Sequence, residues 1–247
     1  VMANINIDVV NASTVLRDVQ VQAMVAACQK QINHDFAPAW GVAASLHAVS
    51  SRQKPHPGHW WMAILDTSDV AGALGYHDVT DTGLPLGKVF AKTTIDAGFH
   101  VSVTLSHELL EQIIDSEVNL TVQGPSPSDS NVPVFYAYET CDAVEDDSLG
   151  YQIDGIQVSG FVLPAYFETF NTTGPWDHGH HLTGGVPTLT PGGYMAYYDI
   201  STGQWTQVFQ QKHGTSHEAY LARPREGSRR ARRQIPPHRR LRSTVLG

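Results

Sequence analysis

The stretch Val101-Ser-Val-Thr-Leu-Ser-His-Glu-Leu-Leu-Glu-Gln-Ile-Ile-Asp115 decides the reading of this chain. Leu105, Leu109, Leu110, Ile113 and Ile114 recur at three and four residues, so the segment reads as a helix that is apolar on most sides and therefore buried. Inside it lies His107-Glu108-Leu109-Leu110-Glu111, an H-E-x-x-E pattern. His107 and Glu111 are four apart and stand one above the other on one helix face. An imidazole and a carboxylate presented this way can hold two corners of a zinc ion. Glu108 follows the first ligand, where zinc hydrolases keep their general base. Carboxylates on a buried helix need partners, and a cation is one.

Working outward, Ile5–Val10 alternates as a strand, and Val21, Met24, Val25, Cys28 and Ile32 mark an amphipathic helix from Asp18 to about His34. Strands are expected over Gly41–Val49, His59–Leu65, Gly72–Val79 and Lys88–Thr94, the last two flanking the turn Asp81-Thr-Gly-Leu-Pro85. Ser50–Pro57 reads as a polar loop, and Ala73-Leu-Gly-Tyr-His77 as an edge strand beside the metal helix. Beyond the helix, Gln123–Pro133 reads as a surface loop, Val134–Tyr138 as a strand, and Tyr151–Phe209 as a series of hairpins. The expected class is α+β, with a zincin-like N-terminal part over residues 1–120, a β-rich part over 121–220 that completes the site, and a basic tail arm over 221–247.

A catalytic zinc site takes three protein ligands and leaves a position open. The third ligand is sought in the acidic run Glu139, Asp142, Glu145, Asp146 and Asp147, because clustered like charges repel unless a cation lies between them. Glu139, at the end of an apolar strand, is the favoured third ligand beside His107 and Glu111. Asp142 and Glu145 are alternates as ligands or as acceptors that orient His107, and Asp115 is a further candidate for either role. One imidazole with two carboxylates makes a weaker Lewis acid than three imidazoles, and such a set also suits Mn²⁺ or Ca²⁺. Tyr136, Tyr138 and Tyr151 are candidates to stabilise an oxyanion. A second histidine group, Asp177-His-Gly-His-His181, offers His178 and His180 to a metal from a Gly-rich loop.

Composition sets the outer limits. The chain of 247 residues is 41% apolar and long enough to bury a sizeable core. No apolar run has the length of a membrane helix, and the first residues lack the charged and apolar regions of a common secretion signal. Cys28 and Cys141 are too few for a disulfide scaffold; Cys28 falls on an apolar helix face, and acidic neighbours make Cys141 a poor nucleophile. The net charge of −8 is segregated: nine arginines against Glu226 give Leu221–Gly247 a charge of +8, leaving −16 on residues 1–220. The arginine-rich end, with Arg229, Arg230, Arg232 and Arg233 at its centre, suits an assembly arm docking on an acidic neighbouring subunit, or a nucleic-acid contact. Phosphate-binding loops, dinucleotide fingerprints and serine nucleophile elbows are not seen.

Four segments together resemble a group of zincin-like proteins encoded in tailed-phage and bacterial genomes: Thr104–Glu111 with Asp115, Tyr136–Glu145, Gly160–Phe167 and Gly192–Tyr197. The resemblance spans about residues 4–233. It implies a zincin-type fold with His107, Glu108 and Glu111 in the metal-helix positions. Zincins carry a second histidine where this chain has Glu111. Two functions are expected from it: a zinc-dependent peptidase, active or retired, or a structural virion component that reuses the scaffold. The expected setting is accordingly a phage particle or the host cytoplasm, with neighbouring subunits as partners.

Overall fold

The computed structural model describes residues 5–70, 73–211 and the backbone of 217–220. The chain is mixed α+β, built around two five-stranded sheets. The first sheet holds β1 (Ile5–Asn11), β2 (Ala44–Ser50), β3 (Trp60–Leu65), β4 (Gly75–Val79) and β5 (Pro85–Phe90) in the order β2-β1-β3-β5-β4. Its first four strands in that order run parallel, and β4 pairs antiparallel with β5 at the edge. Thr80–Leu84 make the hairpin between them, with Gly83 supplying the positive φ of 85°. The expected strand over Lys88–Thr94 is displaced. β5 ends at Phe90, and Ala91–Asp96 forms the short helix α3, because Thr94 turns back to bond the Phe90 carbonyl.

Two longer helices cover one face of this sheet. α1 (Asp18–Gln31) starts on an acidic residue and buries Val21, Met24, Val25 and Cys28. A π-helical segment (Ile32–Phe36) and the single turn α2 (Ala37–Trp40) continue it. α4 (Val101–Ile114) is the expected metal helix, and twelve of its fourteen residues are buried. Side chains alternate across a strand, so Ile7, Val9, Met62, Ile64 and Val89 share the face that meets α1 and α4 in one apolar core. Asp8 and Trp61 are partners in register on the opposite face. A buried polar relay ties the two helices together. Ser106 Oγ donates to Gln31 Oε1 at 2.6 Å, Gln31 Nε2 donates to the Ser159 carbonyl at 2.8 Å, and the Ser159 N–H returns to Ser106 Oγ at 3.1 Å.

The second sheet is wholly antiparallel: β6 (Thr121–Pro125), β7 (Pro133–Ala137), β10 (Tyr194–Asp199), β11 (Gln204–Phe209) and β12 (His217–Tyr220), in the order β12-β11-β10-β7-β6. A small hairpin, β8 (Tyr151–Ile153) with β9 (Ile156–Val158), packs on α1 and α4. Part of the expected loop after α4 is strand β6, whose Val122 pairs with Tyr136. The expected hairpins across 159–193 are instead irregular chain with one 3-10 turn over Pro164–Phe167. The division expected near residue 120 falls between α4 and β6. The two parts nonetheless share packing: Cys141 and Phe161 enter the first core, and Trp40 packs against both clusters. Trp40 also donates its indole N–H to the Val162 carbonyl at 3.0 Å. Residues 221–247, with Arg229, Arg230, Arg232 and Arg233, lie outside the described residues. Among the described residues no helix is long and apolar enough to cross a membrane.

Gly193, at the entrance to β10, lies against the turn that carries Asp142. A Cβ there would stand 2.3 Å from the Ala143 carbonyl oxygen and 3.2 Å from that of Asp142. Gly193→Ala is therefore expected to destabilise the fold by about 1–3 kcal/mol, the usual cost of overpacking. A urea titration checks this; an unchanged midpoint would contradict the close approach.

Candidate metal centre

α4, the edge strand β4 and the segment after β7 converge on one buried group of charges. α4 presents its apolar residues to the sheet, and this turns His107, Glu108 and Glu111 toward the other two elements. The N-terminus of α4 is fixed by an acid from far along the chain: Asp147 accepts the His100 N–H at 2.7 Å and pairs with His100 Nδ1 at 2.8 Å. This is the favourable end of the helix dipole for a carboxylate.

His107 Nε2 lies 3.3 Å from Glu111 Oε2 and 3.1 Å from Asp142 Oδ1. These are close to the edge of a zinc tetrahedron, about 3.3 Å for ligands at about 2.0–2.1 Å. His107, Glu111 and Asp142 thus form one three-residue group able to hold a metal. The third member is Asp142, where Glu139 was favoured from sequence. The 3-10 turn Asp142–Val144 brings Asp142 directly onto His107. Glu139 joins a second, overlapping group with Glu111 and His77. Glu111 Oε2 is shared by both groups, while its Oε1 accepts the Cys141 N–H at 3.0 Å and is thereby fixed in orientation.

His77 was missed as a site residue. It sits on β4 beside Gly87, on the face turned to α4, and is wholly buried. Its Nδ1 lies 3.5 Å from Glu108 Oε2 and 3.6 Å from Glu111 Oε2, and its Nε2 lies 3.6 Å from Glu139 Oε2. Those separations are too long for hydrogen bonds. Among the described residues, both His77 nitrogens and Glu108 Oε2 are buried without a hydrogen-bond partner. The sequence signal was its place in the expected edge strand, one position out of phase with Tyr76. Gly75 makes room for the general-base candidate, since a Cβ there would meet Glu108 Oε1 and Cγ at 2.8 Å.

The charges do not balance. Glu108, Glu111, Glu139 and Asp142 are buried around two imidazoles, so even two imidazolium ions leave negative charge in excess. Glu145 is partly exposed by surface area, while its carboxyl is closely surrounded by protein. Burial, only partly offset by His107, pushes Glu145 up to about 7. Burial also raises Glu111, reinforced by Asp142 and Glu139 and opposed by His107. For His77 burial pulls downward, but Glu139, Glu108 and Glu111 outweigh it and lift the ring to about 9. His107 is likewise raised, with Glu111 and Asp142 overcoming its burial. Such opposed shifts are what a cluster built for a cation shows when protons stand in its place.

Other candidates are placed elsewhere. Asp115 is outside both groups; its carboxylate accepts the N–H groups of Asn119 and Leu120 and so closes the turn after α4. Tyr136 gives its hydroxyl to the Pro125 carbonyl, and Tyr151 gives its own to Asp35 at 2.7 Å. Tyr138 stacks on Phe167 with ring centroids 3.9 Å apart. In the Asp177–His181 loop, Asp177 accepts the N–H groups of His181 and Leu182, and His178 stacks on Phe161. That loop contributes no metal-holding group among the described residues. The Cys141 thiol is raised, as expected, but chiefly by burial; His107 opposes the shift, and Glu111 and Asp142 add to it.

Comparison of the chain with protein-family models, with curated proteins and with solved structures finds no match.

The raised histidine and Glu111 values fix the sign of a pH effect. The folded state holds protons that the unfolded chain releases at lower pH, so these groups stabilise the fold at low pH and lose that contribution as pH rises. For His77 the window runs from about 6.5 to about 9. Protein kept in chelator should therefore lose stability across that window. Added zinc should stabilise it more at the upper end, where protons no longer compete. Urea titrations across the window check both slopes; stability rising with pH in chelator would contradict the assignment.

Proposed function

We propose that the protein is a divalent-metal-dependent hydrolase of zincin-like layout, acting on peptide, with His107, Glu111 and Asp142 as ligands and zinc as the first candidate ion. The observation that carries this is the buried excess of carboxylate around His107 and His77, with both His77 nitrogens and Glu108 Oε2 lacking hydrogen-bond partners among the described residues. Burying carboxylates without compensation costs several kcal/mol, about the scale of a whole domain's stability. The donor set of imidazole and carboxylate fits zinc, and its oxygen-rich side accommodates Mn²⁺ or Ca²⁺. Further support comes from topology: a mixed sheet ends in an antiparallel edge strand, and the H-E-x-x-E helix lies beside it.

A metal bound there supplies Lewis-acid polarisation of a carbonyl and a more acidic water. The chain's own groups do the rest. Glu108 Oε2 takes a proton from water and returns it to the leaving amine. Glu139 and His77 face each other across the group, Nε2 to Oε2 at 3.6 Å, and Glu111, fixed through Oε1 by the Cys141 N–H, would offer its second oxygen to the metal. β4 pairs only with β5 among the described residues, so its outer side can take an extended peptide by strand addition.

One observation favours a second reading, a metal that braces a structural protein such as a virion component. Every side chain in the two groups is at most 8% exposed, and the cavity beside Glu139 and Asp142 is about 10 Å³, room for about one water. Glu108→Gln separates the readings. Under the hydrolase reading the variant retains its metal and loses about 10²–10⁴-fold in peptide cleavage. Wild-type protein that carries metal but cleaves no peptide would establish the brace. Metal content unchanged by His107→Ala and by Glu111→Ala would overturn both.

A further inference from the structure

We propose a second transition-metal site, formed by Asp8, His56 and His59 on the face of the first sheet turned away from α1 and α4. The sequence His56-Pro-Gly-His59 builds it. Proline at the second position and a glycine with φ of 80° at the third make a type II turn, closed by the His59 N–H to the His56 carbonyl. The turn sets two imidazoles side by side, with ring centroids 4.9 Å apart. Beneath them, in the middle of the parallel sheet, lies Asp8. Its register partners Trp61 and His47 place it on this open face, where Trp61 is 37% exposed, yet Asp8 itself is 0% exposed. A wholly buried acid on an outward face is unusual, and the imidazoles form its roof.

The geometry is convergent. Asp8 Oδ1 faces His59 Nδ1 at 2.8 Å and His56 Nδ1 at 3.0 Å, and the three donor atoms all lie within 4.8 Å of one another. Asp8 also accepts the His56 backbone N–H, which fixes the carboxylate. The separations are a few tenths of an ångström below the edge of a zinc tetrahedron, about 3.3 Å, and small outward turns of the exposed His56 ring and the partly exposed His59 ring would supply the difference. His56 also leaves the fourth position open to water, as its side chain is 58% exposed. His47 extends the cluster with a ring 5.0 Å from that of His59, held by Asn6 at 3.2 Å. Two nitrogens and one carboxylate suit zinc, with nickel or copper as competitors of higher intrinsic affinity. This group shares no residue with the centre on α4.

The test is zinc stoichiometry and affinity on the full chain, by calorimetry and elemental analysis. The proteins compared are wild type, His107→Ala, the double variant His56→Ala/His59→Ala, and the single His56→Ala, whose exposed side chain leaves the core intact. The proposal expects one zinc equivalent to survive in His107→Ala and to be lost in the double variant. The single variant should bind that equivalent about tenfold or more weakly. If the double variant binds zinc as wild type does, or if His107→Ala binds none, the proposal falls. If zinc is lost in the double variant alone, this site stands while the α4 centre fails; zinc lost in His107→Ala alone gives the reverse. No zinc on wild type overturns both.

Discussion

The structure depends on a single electrostatic constraint: four carboxylates buried with two imidazoles where α4 meets β4. Such a cluster cannot persist on hydrophobic packing alone, since each uncompensated charge costs free energy comparable to the margin that keeps a domain folded. Much of the surrounding fold serves to hold these groups in fixed positions. The apolar side of α4 is locked against β3 and β5, the Ser106–Gln31–Ser159 relay stops it from sliding past α1, and Asp147 pins its first turn. With the helix held at its first turn and at Ser106, the H-E-x-x-E face is turned inward.

The two sheets share in the centre. β4 of the first sheet delivers His77, and the segment leaving β7 of the second delivers Glu139 and Asp142. Trp40 and Phe161 seal the join with aromatic contacts across both cores. A cation here would cross-link elements that lie far apart in sequence, so binding and folding are coupled. Gly193 backs the turn that carries Asp142, where a side chain would crowd the Ala143 and Asp142 carbonyls.

Strong local periodicity made some elements legible in the sequence. The apolar repeat of Leu105, Leu109, Leu110 and Ile113 identified α4, and the alternation of β1 and the apolar run of β3 identified two of the strands. Chemistry made the acidic run legible as a partner of the helix, but the choice between Glu139 and Asp142 depended on a 3-10 turn that leaves no periodic trace. His77 was hidden because one histidine in a five-residue strand gives no sign of which face it takes until the register with β5 is known. The His56–His59 turn was absorbed into a polar loop and the strand after it. Its significance depends on Asp8, forty-eight residues earlier, which only the parallel pairing of β1 and β3 brings beneath it. α3 was lost to β-propensity, where the Thr94 bond to Phe90 outweighed a weak local preference.

The most direct test of the account is anomalous diffraction at the zinc edge from crystals of protein purified without chelator. The account predicts a peak bonded to His107 Nε2, Glu111 Oε2 and Asp142 Oδ1, at about 2.0–2.2 Å from each. A cluster with no peak, in which His77 closes direct hydrogen bonds to the surrounding carboxylates, would contradict it.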